Sequence, residues 1–173
     1  MPDDSITVLS VDDDPDLLEL LATGLERESE RLTVVTATAA TDALEVLYRR
    51  DVDCVLSDYY MPERTGVELL RAVREAEPEL PFILFTETGS EAVASDAVSA
   101  GVTDYVIRET IGNQHALLRK KIVTHVERRR AERRAARTEE RLQELAGTSN
   151  DAFWTFSADW SELLFINSAH ENL

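Results

Sequence analysis

Along the first two thirds of the chain, short runs of aliphatic and β-branched residues alternate with stretches in which leucine, valine or alanine returns every three or four positions. The first pattern predicts buried strands and the second amphipathic helices. Strands are expected over 6–11, 32–37, 52–57, 82–86 and 105–107, three of them almost continuously apolar, as strands covered on both faces should be. Helices are expected between them. The first, over 15–28, carries Leu17, Leu18, Leu21 and Leu25 at helical spacing, with Asp14 as N-cap and Pro15 as first helical residue. The second covers 38–49. The third opens on Thr65-Gly66-Val67-Glu68, a capping box, and stops at Glu77-Pro78. The fourth runs from Ser90 to Gly101, with Ala94, Ala97 and Val98 as its apolar face and Gly101 in the left-handed position that ends many helices. Strands and helices in strict alternation imply an α/β fold with a parallel sheet.

Beyond Asn113 no proline or glycine interrupts the chain until Gly147, so one long helix is expected there. Leu117, Leu118, Ile122 and Val126 suit packing on the sheet. Ala131, Ala135, Thr138, Leu142 and Leu145 then recur at alternating spacings of four and three, a short coiled-coil seam through which two copies could dimerise in parallel. After Gly147, two short strands are expected around a turn near Asp159.

Several apolar runs end abruptly in carboxylates. Val11 leads into Asp12-Asp13-Asp14, and Cys54-Val55-Leu56-Ser57 leads into Asp58. Asp14 has a capping task; Asp12 and Asp13 have none. Acids crowded at strand ends disfavour one another's ionisation unless a cation or a charge-transfer task accounts for them. Oxygen-only ligands of this kind suit a hard divalent cation such as magnesium.

Four segments occur in order: Val11-Asp12-Asp13-Asp14-Pro15; Asp58-x-x-Met61-Pro62-x-x-x-Gly66; Pro81-Phe82-Ile83-Leu84-Phe85-Thr86; and Ala100-Gly101-Val102-Thr103-Asp104-Tyr105-Val106-Ile107-Arg108. Together they resemble the receiver domain of two-component response regulators, over residues 5 to about 125. The resemblance implies a flavodoxin-like, doubly wound five-stranded parallel sheet of order 2-1-3-4-5, followed here by an extended C-terminal helix. It also implies magnesium-dependent phosphoryl transfer from a phosphohistidine of a partner kinase or phosphotransfer protein to Asp58, acting as a conformational switch. Asp12, Asp13, Asp58 and the backbone carbonyl of Tyr60 would hold the Mg2+. Thr86 would bond the new phosphoryl group, and Tyr105 would reposition with it. Arg108 stands where the family has lysine, and Glu109 where it has proline. An arginine keeps the charge on a wider, planar head, so the exchange is not conservative. Tyr60 is bulky for a position that affects water access, which favours a long-lived phosphoaspartate. The resemblance further implies that the receiver would assist its own phosphorylation.

The domains expected are a receiver over 1–125, a helical linker over 126–146 and an incomplete PAS sensor domain over 147–173. That order resembles the front of a hybrid sensory histidine kinase, whose catalytic modules would follow residue 173. The alternatives are a receiver-like interaction module that never accepts phosphate and a DNA-binding regulator using the arginine-rich helix from Arg128. The net charge opposes nucleic acid.

That charge is −16, from 34 acidic and 18 basic side chains. By segment it is −17 over 1–118, +5 over 119–146 and −4 over 147–173. Such self-repulsion fits a haloarchaeal, halophilic source, the alternative being an ordinary acidic signalling domain. His115, His125 and His170 sit in no phosphoacceptor motif, and Cys54, inside an apolar strand, reads as a buried spectator. No apolar run approaches the ~20 residues needed to cross a bilayer, and the acidic start resembles no signal peptide, so a cytoplasmic location is expected.

The charge generates a prediction. Lowering salt from molar to about 0.1 M lengthens the Debye length from about 3 to 10 Å and should lower the melting temperature. Scanning calorimetry across that range would show a flat profile if self-repulsion is unimportant.

Overall fold

A computed structural model describes residues 4–87, 90–108, 114–148, 154–156, 159 and 161–166. The chain divides into two compact units, Met1–Arg129 and Arg130–Leu173.

In the first unit, five parallel strands, β1 (Ile6–Val11), β2 (Leu32–Ala37), β3 (Cys54–Ser57), β4 (Phe82–Thr86) and β5 (Asp104–Ile107), form one sheet in the order β2-β1-β3-β4-β5. Helices α1 (Pro15–Glu28), α2 (Ala40–Arg49), α3 (Gly66–Ala76) and α4 (Glu91–Ser99) connect them, and α5 (Gln114–Thr148) follows. The sheet separates two cores. One gathers Leu9, Val11, Val55 and Leu84 with Val67, Leu70 and Val73 of α3; the other gathers Ile6, Val8, Leu56 and Ile83 with Leu21 and Leu25 of α1 and Leu118, Ile122 and Val126 of α5. Alternate residues of each strand serve opposite cores, which is why β3 and β4 are buried at every position.

The helix starts follow the expected chemistry. Asp14 accepts from the backbone of Asp16 and Leu17, Thr65 and Glu68 complete a reciprocal capping box, and Ser90 accepts from Val93 N–H. Gly101 has φ 82°. The Cys54 side chain is fully buried, and burial pushes its thiol pKa far up.

Four expectations need correction. β3 begins at Cys54 rather than at 52, because Asp53 takes over that end: its carboxylate accepts from Thr7 N–H at 2.9 Å while its own N–H donates to Thr7 O at 2.8 Å. α2 begins at Ala40, without a side-chain cap. On α4 the buried pair is Val93 and Ala97, four apart, while Val98 turns out to solvent at 71% exposure. On α5, Leu118, Ile122 and Val126 share a buried face, and Leu117, a helical step of about 100° away, is 46% exposed.

Two histidines have structural places. The His115 ring lies where a Cβ on Gly24 would stand, so Gly24 lets α1 and α5 approach. His125 Nε2 lies 3.0 Å from Asp104 Oδ2, which also accepts from Lys121 Nζ at 2.7 Å. His170 lies outside the described residues, as do Glu109 and most of the chain after Thr148.

In the second unit, β6 (Trp154–Phe156) pairs antiparallel with β7 (Leu163–Ile166), the two strands expected there. Its helical part, Ala131 to Glu144, is exposed throughout.

Burial disfavours the charged form of Asp104, but the bonds from Lys121 and His125 outweigh it and hold its carboxyl below the usual carboxylate range. A carboxylate depressed in this way stabilises the fold above its unfolded value, and the contribution is lost as pH falls through the folded one. Asp104→Asn should therefore lower stability by about 1 kcal/mol at pH 7, the modest figure reflecting partial exposure. Urea unfolding at pH 7 and at successively lower pH, where the gap between the two proteins should narrow once pH falls below the unfolded carboxylate value, checks it.

Candidate functional site

The carboxyl ends of β1, β3, β4 and β5 lie along one edge of the sheet, and β1 and β3 are neighbours although α1, β2 and α2 intervene in sequence. That adjacency is the point where the winding of the sheet reverses, where such folds form their crevice. Asp12 N–H bonds Ala37 O and Asp58 N–H bonds Val11 O, at 3.2 and 2.9 Å, so both acids continue the backbone ladder just past the strand ends. Asp12, Asp13 and Asp58 present carboxylate oxygens within 4.8 Å of one another. They line a cleft of about 320 Å³ with Tyr60, Thr86, Glu87 and Arg108.

Burial differs among the acids. Asp12 is buried, Asp58 intermediate and Asp13 exposed. Asp12 Oδ1 accepts from Asp14 N–H at 2.9 Å, which ties it to the turn into α1. Asp58 Oδ2 accepts from Tyr60 N–H at 3.2 Å. Burial pushes the Asp58 carboxyl above its ordinary value and the neighbouring Asp12 charge adds to this, while backbone donation, the nearby Thr86 hydroxyl and Arg108 act in the opposite sense.

Arg108 is the cation of the cleft. Its backbone N–H bonds Thr86 O at 2.7 Å, placing it directly after β5. Its guanidinium donates to Asp12 Oδ2 at 2.9 Å, lies 3.9 Å from Asp58 Oδ1 and reaches Glu87 at 3.5 Å. The Phe85 ring lies under it at 4.9 Å. Thr86 ends β4 with a buried hydroxyl that has no hydrogen-bond partner among the described residues, and the buried Tyr105 hydroxyl has none either. Tyr105 packs against the apolar core that Tyr59 also borders. Tyr60 stacks edge-on against Tyr59, with ring centres 4.6 Å apart, and is 53% exposed.

Sequence reasoning missed the reason for Gly66. A Cβ there would stand 2.1 Å from Asp58 O, and Gly66 N–H donates to Tyr59 O at 2.8 Å. The glycine lets α3 close over the loop that carries the acid; the spacing from Asp58 was the visible signal. The same loop holds Glu63 at φ 69°, a conformation non-glycine residues seldom adopt.

The donor set is all oxygen and anionic, which fits a hard divalent cation better than a soft one. Asp12, Asp13 and Asp58 are the residues placed to hold it.

The sequence profile of the response regulator receiver domain matches residues 8–121. Transcriptional regulatory protein GlrR of Escherichia coli is 41% identical over 101 residues, covering 58% of this chain and 22% of that protein. The probable transcriptional regulatory protein TcrX of Mycobacterium tuberculosis is 33% identical over 127 residues, covering 70% of this chain and 53% of that protein. The chain thus spans from about a fifth to about half the length of these relatives. Among solved structures, a response regulator receiver domain protein from Clostridium thermocellum superposes with a TM-score of 0.65 at 25% identity, covering 73% of this chain and 98% of that one. The response regulator TrrA of Thermotoga maritima, solved in complex with Mg(2+)-BeF, gives 0.59 at 27% identity, over 68% and 98%.

A carboxylate raised by burial destabilises the fold above its folded pKa, and this cost disappears as pH falls below the unfolded value of about 3.9. In metal-free buffer, Asp58→Asn should therefore melt higher than the parent at pH 8 and no higher at pH 3. Thermal melts at the two values test the sign.

Proposed function

The chain belongs to the response regulator receiver domain family, and we propose on that footing that Asp58 accepts a phosphoryl group from a phosphohistidine of a histidine kinase or phosphotransfer partner. The observation that carries the proposal is the convergence of three carboxylates on one cleft, with oxygens within 4.8 Å and a guanidinium beside them. An Asp58 oxygen attacks phosphorus, the phosphorus–oxygen bond forms as the phosphorus–nitrogen bond breaks, and the imidazole leaves with the electron pair. Such transfers depend mainly on alignment and on neutralising oxygen charge. Asp12, Asp13, Asp58 and the Tyr60 carbonyl would hold a magnesium ion, which supplies much of that neutralisation. Arg108, already between Asp12 and Asp58, would swing to a phosphoryl oxygen through charge-assisted bonds contributing roughly 1.5 to 3 kcal/mol. Thr86 has a buried hydroxyl that makes no full hydrogen bond yet lies close enough to Asp58 to favour its charged form, which suits it to bond the new group. Tyr105, whose hydroxyl is likewise uncommitted, is the side chain that would follow. Tyr60 at the mouth would hinder water and lengthen the life of the acyl phosphate.

The wider setting follows from sequence order. We place the receiver at 1–125, a helical linker at 126–146 and the start of a PAS domain at 147–173, the front of a haloarchaeal hybrid histidine kinase working in the cytoplasm. The β6–β7 hairpin and the excess of acids support this reading, and among the described residues no helix is long and apolar enough to cross a membrane.

A second reading draws on the curated relatives, which bear the names of transcriptional regulatory proteins. There the arginines of α5 would meet DNA.

Incubating the chain with magnesium and acetyl phosphate should add one base-labile phosphate to Asp58, seen by mass spectrometry. Asp58→Asn should take none, Asp13→Ala should weaken magnesium binding at least tenfold, and Arg108→Ala should take phosphate slowly, with Arg108→Lys active. If neither the parent nor Arg108→Lys takes phosphate, an interaction module without phosphorylation is the better reading. Salt-dependent retention of duplex DNA would support the second one.

A further inference from the structure

We infer that the exposed part of α5 is one strand of a parallel, in-register two-helix coiled coil, and that its partner is a second copy of this chain. From Ala131 to Glu144 every residue is exposed, so among the described residues this seam is left uncovered. Ala135 and Leu142 occupy the a positions, and Ala131 and Thr138 the d positions. Thr138 would bring a hydroxyl to the seam, but it donates to Arg134 O at 2.9 Å within the helix, so its methyl can face a partner without stranding a donor.

Charge selects the occupant and its direction. In this register Arg134 and Arg141 fall at g, and Glu132 and Glu139 at e. In a parallel dimer a g residue meets the e residue five positions later on the partner, which brings Arg134 onto the partner's Glu139, twice by symmetry. Neither charge has an opposite one three or four residues away on its own helix: Arg134 has Arg130, Ala131, Arg137 and Thr138, and Glu139 has Ala135, Ala136, Leu142 and Gln143. A parallel second copy supplies the complement that each lacks on its own helix. An antiparallel pair would set g against g and e against e, arginine on arginine and glutamate on glutamate. One heptad earlier, the like-charged Glu127 and Glu132 would oppose, but Glu127 is engaged by Arg31 at 3.1 Å. The inference rests on the helix alone and is independent of phosphorylation at Asp58.

Sedimentation equilibrium of the full chain at about 0.15 M salt tests it, since a Debye length of about 8 Å screens the acidic bodies and leaves contact pairs intact. The expected result is a concentration-dependent dimer. Arg134→Glu should weaken it about tenfold, Glu139→Arg likewise, and the double exchange should restore it. Ala131→Cys should form an intermolecular disulfide on mild oxidation, since parallel register sets residue 131 against itself. A monomer at the highest soluble concentration, a dimer indifferent to either charge reversal, or an Ala131→Cys chain that does not cross-link would overturn the inference.

Discussion

Three carboxylates held within 4.8 Å of one another would repel strongly in any folded chain, and much of the first unit is arranged around that repulsion. Asp12 and Asp58 hang from the ends of adjacent strands whose ladder leaves them little freedom to separate. The fold meets the repulsion with Arg108, which is fixed by its own backbone bond to the end of β4 and reaches back over Phe85 to Asp12. The compensation is partial: Asp58 sits 3.9 Å from the guanidinium, and its carboxyl remains displaced upward by burial. A site that stays short of positive charge is one that a divalent cation, and then a phosphoryl group, can complete.

Backbone chemistry is the part of the fold most plainly written in the residues. Asp14-Pro15, Thr65 with Glu68, and Ser90 each mark a helix start because a capping side chain acts within three residues of its own position. The apolar runs likewise located the five strands. What could not be read was set by contacts distant in sequence. The start of β3 depends on Asp53 meeting Thr7, and the face of α4 depends on which side meets the sheet once Ser90 has set the helix phase.

The acids of the site were legible because Asp12 and Asp13 had no capping task and Asp58 ended an apolar run. Their meeting was not, since adjacency of β1 and β3 is a matter of strand order that only the resemblance supplied. Gly66 is the clearest omission. Its role is to clear Asp58 O, an atom eight residues away that no local pattern identifies. His125 is another: it sits in no phosphoacceptor motif, and nothing near it in sequence shows that it shares the Asp104 carboxylate with Lys121 and so fastens α5 to the start of β5.

The fully buried Cys54 has a use outside any signalling role. Its thiol lies at the start of the central strand, between β1 and β4, with its ionisation suppressed by burial. A soluble thiol reagent can reach it only when the middle of the sheet parts, so its modification rate under native conditions is a clock for the rarest opening of the first unit. The chain thereby carries an internal gauge of how often its central strand is exposed, one that needs no engineered label.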